Sequence, residues 1–252
     1  MCTVVRIINK CFEVNTMSVF AIADLHLPLG ADKPMDIFGG WDNYVSRLHD
    51  NWQAKVKPED TVIIPGDISW ALKLEDTYKD FEFIQKLNGT KVFLKGNHDL
   101  WWSTRSKVEK FWADNGFNSM RLVQNDHYRI GDTAICGTRG WINDGSEPAN
   151  AKVIAREAIR LDLSINSAVT AGLYPVVFLH YPPLYANAEN LDMLEVLHKY
   201  DIKFCFYGHL HGNTHSFAIN GTRDGVTYQL ISADFLHFDP MDITKIVQND
   251  KT

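Results

Sequence analysis

The stretch from Thr61 to Asp99 constrains the fold most. It reads TVIIPGD, then a helical interval, then KVFLKGNHD. Two short runs of β-branched and aromatic residues each end at a glycine followed by side chains that bind metals or handle protons. Buried strands in α/β folds deliver such groups at their carboxyl ends. Gly66 and Gly96 let the backbone turn sharply there, so Asp67, Asn97, His98 and Asp99 are expected to project into a crevice at one sheet edge.

The rest of the chain repeats this device. SVFAIA, residues 18–23, is continuously apolar, as a strand covered on both faces requires, and it ends in Asp24-Leu25-His26. Alternation puts Asp24 and His26 on one side, where a carboxylate and an imidazole can grip one cation together. Amphipathic spacing predicts helices over 42–57, 76–87, 103–115 and 151–168, the last capped by Asn150. Strand and helix alternate, so the early strands should be parallel. Gly131-Asp132 predicts a hairpin between 128–130 and 133–136, where pairing turns antiparallel. Its second strand runs into Gly137-Thr138-Arg139-Gly140-Trp141, whose arginine can reach a substrate phosphate or pair with a carboxylate. PVVFLH then delivers His180, and KFCFYGHLH delivers His209 and His211. Residues 226–232 form a late strand, and the tail from Asp234 carries no assignable chemistry. Trp101 and Trp102 read as core residues, with a wall beside the substrate as the alternative.

Composition removes several classes. A chain of 252 residues with 45% apolar content can bury one sizeable α/β core, and a single domain over 17–252 is expected, preceded by an extension over 1–16. The net charge of -6 argues against a broad nucleic-acid surface, which rests on clustered Lys and Arg. Cys2, Cys11, Cys136 and Cys205 are scattered, with no Cys-x-x-Cys pair, as suits a reducing compartment. No apolar run approaches the roughly 20 residues that span a bilayer, and no signal core opens the chain. A cytoplasmic protein without membrane contact is expected.

Taken together, Asp24-x-His26, Gly66-Asp67, Gly96-Asn97-His98-Asp99, His180 and Gly208-His209-x-His211 resemble the calcineurin-like metallophosphoesterase superfamily. Five spaced blocks in order are far more specific than any one of them. The resemblance implies an α/β fold, a four-layer α-β-β-α sandwich of two central sheets with helices outside. It makes Asp24, His26, Asp67 and His211 ligands of one metal and Asp67, Asn97, His180 and His209 ligands of a second, with Asp67 bridging. The donors are oxygens and imidazoles without a thiolate, so two divalent ions such as Mn²⁺, Fe or Zn²⁺ fit.

A water shared by two such ions becomes a hydroxide nucleophile near neutral pH, and the ions, roughly 3.5–4 Å apart, clamp the phosphoryl oxygens for in-line attack. His98 is then expected to protonate the leaving oxygen, with Asp99 orienting its imidazole and favouring the protonated form. Among the histidines outside the pattern, His215 is the one expected to act beside a ligand, His211. GDISW and KGNHD depart from the blocks of the protein-phosphatase branch, whose arginine is absent. A small phosphorylated substrate, monoester or diester and perhaps a nucleotide, is the expected partner. A nuclease and a non-catalytic scaffold are the alternatives.

Overall fold

In the computed structural model, which describes residues 17–141, 151–186 and 188–248, strand β1 (Val19–Ala21) is buried on both faces. The chain continues through α1 (Tyr44–Lys55), β2 (Thr61–Pro65), α2 (Tyr78–Lys86), β3 (Thr90–Leu94), α3 (Arg105–Asp114), β4 (Met120–Leu122), β5 (His127–Ile130), β6 (Thr133–Thr138) and α4 (Ala151–Thr170). Then follow β7 (Tyr174–Leu179), the short pair β8 (Leu184–Tyr185) and β9 (Ala188–Glu189), and α5 (Leu191–Lys199). The last elements are β10 (Phe204–Tyr207), β11 (Gly221–Arg223), β12 (Val226–Leu230), β13 (Met241–Asp242) and α6 (Thr244–Val247).

Two large sheets result, in the orders β13-β1-β2-β3-β4 and β11-β12-β10-β7-β6-β5. In the first, β1 to β4 are parallel and β13 adds an antiparallel edge. In the second, β6, β7, β10 and β12 are parallel. The expected hairpin forms between β5 and β6, but antiparallel pairing stops there and recurs only at the opposite edge, between β11 and β12. Long crossovers through α4 and α5 bring the intervening strands back in the same direction.

Strand alternation sorts the apolar residues into three cores, which defines four layers. Val19, Ala21, Ile63, Val92 and Leu94 face Ile135, Val176, Phe178 and Phe206 between the sheets. Phe20, Ile22, Val62 and Phe93 face outward onto Leu48, Trp52, Phe81, Ile84 and Val108 of α1, α2 and α3. On the far side, Cys136, Val177, Leu179 and Cys205 pack under Leu161, Ile165, Met193 and Leu197 of α4 and α5. This is the expected sandwich, and Cys136 and Cys205 are buried free thiols within it.

Boundaries differ by a few residues. Asn43 rather than Asp42 precedes the first helix, and Leu74–Thr77 is a 3-10 turn ahead of α2. The helix over 191–199 has no counterpart among the predicted elements; Asn190 caps it, its side chain accepting from Met193 N at 3.1 Å. The extension over 1–16 and the cap at Asn150 lie outside the described residues. No helix among the described residues is long and apolar enough to cross a membrane.

Candidate metal centre

The two sheets meet at their carboxyl edges. Ala23 donates to Ile231 O at 2.8 Å, and Ala233 N donates back to Ala23 O at 2.9 Å. The ends of β1, β2 and β3 therefore converge with those of β7 and β10. Glycines let them approach: a Cβ on Gly96 would lie 2.1 Å from Asp67 Oδ1, and one on Gly208 would lie 2.3 Å from Asp24 Oδ2.

The backbone at this edge is strained. Asp24, His26, Asp67 and His209 hold φ of 60°, 45°, 51° and 72°, in the left-handed region that residues with a Cβ rarely visit. Local bonds hold it there. Tyr44 donates its hydroxyl to His26 O at 2.6 Å, and His209 N donates to Asp24 Oδ2 at 3.0 Å. Asp99 ties β2 to β3: its carboxylate accepts from Gly96 N (2.7 Å), Asp67 N (2.9 Å), Ile68 N (2.9 Å) and Trp101 Nε1 (3.0 Å).

These constraints bring all seven expected ligands together. His26 Nε2 lies 3.3 Å from His211 Nε2, and Asp24 Oδ1 lies 3.6 Å from the same nitrogen. Asn97 Oδ1 lies 2.6 Å from His180 Nε2 and 3.1 Å from His209 Nδ1. Asp67 Oδ2 stands between the two groups, 3.7 Å from His26 Nε2 and 3.4 Å from His180 Nε2. Asp24 also reaches the second group, 3.5 Å from His180 Nδ1.

The electrostatics of the cluster fit cations. Burial, then the nearby Asp99 and Asp24 carboxylates, raises Asp67 well above the usual carboxylate range. Burial and the neighbouring imidazoles hold His26 and His180 well below theirs, so both are neutral and offer a lone pair. Asp24 Oδ1, His26 Nδ1 and His180 Nδ1 are buried without a hydrogen-bond partner. Crowded carboxylates, neutral imidazoles and orphaned acceptors make a donor set that a divalent ion completes, and Asp24 with His26 and His211, or with Asp67 and His180, already stand close enough to share one.

The calcineurin-like phosphoesterase family matches residues 17–213, a span containing every one of these groups. This chain belongs to that family. Membership supports a phosphoesterase. The fold is shared with a protein of unknown function from Aquifex aeolicus, at 15% identity and a TM-score of 0.50, covering 93% of this chain and all of the other. It is shared also with a protein from Thermus thermophilus, at 14% identity and a TM-score of 0.50, covering 78% and 83% of the two chains. The phosphopantetheinyl hydrolase of Mycobacterium tuberculosis aligns with a TM-score of 0.48 at 14% identity, over 90% of this chain and 95% of that one. No curated protein matches.

Two expectations for the phosphoesterase need correction. Asp99 does not orient His98. Its oxygens are taken by the backbone donors and Trp101, and no hydrogen bond joins it to the His98 imidazole among the described residues. Asp99 is fully buried while His98 is exposed at the rim. The packed surroundings and the Lys33 charge push His98 down to about 4, away from the protonated form. Second, the tail does carry chemistry. Asp234 Oδ1 lies 2.8 Å from His211 Nδ1, and Gly212 N donates to Oδ2 at 3.0 Å. Although burial opposes it, Asp234 together with Asp24 raises His211 to about 10. His215 touches Asp234 at 3.2 Å rather than His211.

Aromatic residues that sequence reasoning passed over wall the centre. Trp70 stacks on His26 with centroids 4.6 Å apart, lies 4.5 Å from the His98 ring, and carries Lys33 Nζ at 3.8 Å over its own face. Trp41 meets both His26 and His211 edge-on at 5.8 Å. With Met35 and Phe38 they line an apolar cavity of about 450 Å³ that opens onto His26, His98 and His211. The GDISW block holds the signal for Trp70, since an aromatic residue three positions beyond Asp67 sits on the same turn. Trp101 is core, bonded to Asp99. Arg139 stands apart from the seven ligands: its guanidinium lies over Trp141 at 4.7 Å and 3.7 Å from Glu157 Oε1.

Proposed function

We propose that this phosphoesterase is a divalent-metal-dependent hydrolase of a small phosphate ester whose alcohol portion is apolar or aromatic. The observation that carries this is the position of Asp67 Oδ2, within 3.7 Å of His26 and 3.4 Å of His180. One carboxylate can thereby serve both donor groups. Asp24, His26, Asp67 and His211 would hold one ion, and Asp67, Asn97, His180 and His209 the other. Such a pair, with Mn²⁺ the first candidate, supplies the charge that lowers the pKa of water and offsets charge on phosphoryl oxygens.

The chain's own residues do the rest. Asp234 holds the His211 tautomer through Nδ1, leaving Nε2 toward the cluster. Asp99 fixes the two turns that carry Asp67 and Asn97. Trp70, Trp41, Met35 and Phe38 receive the apolar part of the ester and exclude water from it. His98, neutral in the free protein, offers its N–H at the rim, and a phosphoryl anion beside it raises its pKa so that it can pass a proton to the leaving oxygen. The expected location is cytoplasmic, as the scattered cysteines suggest.

Bis(p-nitrophenyl) phosphate and p-nitrophenyl phosphate test this reading. Hydrolysis should appear with Mn²⁺, stop on chelation, and vanish in Asp67→Ala, while His98→Ala keeps its ions and loses rate. Absence of turnover with well under one ion bound per chain would instead favour a scaffold, and degradation of DNA or RNA with a steep salt dependence would favour a nuclease.

A further inference from the structure

A second cavity, of about 300 Å³, shares no lining residue with the apolar one. Four cationic side chains line it: Lys95, Arg139, Arg156 and Arg160. Among the described residues its one lining carboxylate, Glu157, is wholly buried and already engaged. Glu157 Oε2 accepts from Thr138 Oγ1 at 2.6 Å, and Oε1 accepts from Arg160 Nη1 at 2.6 Å with Arg139 Nη2 at 3.7 Å. Among the described residues neither Lys95 nor Arg156 forms an ion pair, and Arg139 Nε is buried without a hydrogen-bond partner. Among the described residues four positive charges stand against one carboxylate, a local excess of positive charge in a protein whose net charge is -6.

Paired surface arginines are ordinary, but gathering unpaired cations around a concavity costs free energy unless an anion offsets it. Guanidinium forks match phosphate oxygens two at a time. Arg156 and Arg160, four apart on α4, present their forks from one helix face. The volume lies at the lower end of the roughly 300–1,000 Å³ typical of small-molecule sites, which suits a phosphorylated group and not a polymer.

Position links this cavity to the metal cluster. Lys95 follows β3 and precedes Asn97 by two residues, so their Cα atoms are at most about 7.6 Å apart. Arg139 follows β6, and its carbonyl accepts from Tyr181 N at 2.8 Å, beside His180. We propose that this cavity binds a phosphate monoester dianion, held by Arg139, Arg156, Arg160 and Lys95, as a site separate from the acid and imidazole cluster. That phosphate is either a second phosphate on the substrate or free inorganic phosphate.

Calorimetric titration of inorganic phosphate into the full chain, with Mn²⁺ and again after chelation, tests the site. After chelation the wild type should show one saturable binding event, retained in Asp67→Asn. Arg156→Glu should weaken it at least tenfold, and Arg156→Lys should preserve most of it. Arg156 is exposed, so unchanged thermal denaturation will show that these variants are folded. No saturable binding, or binding by Arg156→Glu equal to wild type, overturns the proposal.

A second arm, which rests on the hydrolase reading, compares an aryl phosphate with the same ring carrying two phosphates. If Arg156→Glu raises KM for the doubly phosphorylated ester alone, the source is the substrate. If both KM values stand while the calorimetric event is lost, the source is free phosphate. Failure of the wild type to hydrolyse either ester would sink the hydrolase reading and leave the calorimetric test intact.

Discussion

Asp234 Oδ1 lies 2.8 Å from His211 Nδ1, and this contact joins residues 23 positions apart in the chain. A carboxylate that accepts from one ring nitrogen fixes the tautomer and makes the other nitrogen the donor to an ion. Asp234→Asn should therefore weaken divalent-ion affinity about 10–100-fold. Activity titrated against Mn²⁺ would show a rightward shift with a recovered plateau. An unshifted titration curve would remove Asp234 from the metal-holding set.

His98 and Asp99 are adjacent in sequence and should separate in experiment. Asp99→Ala leaves several buried backbone donors unsatisfied, each costing about 1–3 kcal/mol, so urea denaturation should show a loss of at least about 3 kcal/mol. His98→Ala, at the exposed rim, should leave stability within about 0.5 kcal/mol of wild type and lower kcat. Equal stability losses would contradict the division.

Asp80 gives a pH signature away from the metal cluster. Burial raises it to about 6, against the opposing bonds from Ser69 and the backbone of Leu29 and Gly30. Its folded pKa thus exceeds its unfolded value. The associated stability is fully present below the unfolded pKa and is lost as pH rises through about 6. Relative to Asp80→Asn, the wild type should lose up to about 3 kcal/mol between pH 4 and 6 and stay level above. Chemical denaturation of both proteins across that range checks the sign.

Trp70→Ala removes the ring stacked on His26. Hydrolysis of aryl phosphates should suffer at least tenfold more in kcat/KM than hydrolysis of a short alkyl phosphate. Equal losses for both esters would mean that Trp70 positions His26 or His98 and does not receive the substrate.

Much of this site could be read from the sequence, because the strand ends announce themselves with polar residues directly after an apolar run, at β2, β3 and β10 with a glycine between. Asp67, Asn97, His209 and His211 are of that kind, Asp24, His26 and His180 follow their apolar runs without a glycine, and the four-layer arrangement follows from strands apolar on both faces. Asp234 escaped because nothing local marks it: it follows a strand with no glycine, and its role arises only when β12 pairs with β10. Trp41 and Trp70 escaped because they lie in loops, and only the folded chain brings those loops over the cluster. Asp99 was misread for the opposite reason, since its place beside His98 suggested a contact, whereas the backbone of Gly96, Asp67 and Ile68 and the Trp101 ring take its oxygens.

The left-handed backbone at Asp24, His26, Asp67 and His209 restricts the alphabet of the cluster. Of residues with a Cβ, Asn, Asp and His enter that region most readily, whereas a glutamate gains no comparable tolerance from its longer arm. A Glu at position 67 would meet two obstacles, an unfavourable main chain and a carboxylate carried one carbon too far. The short acids here are thus dictated by peptide geometry as much as by ion chemistry, and drift at these four positions is confined to residues that tolerate the bend.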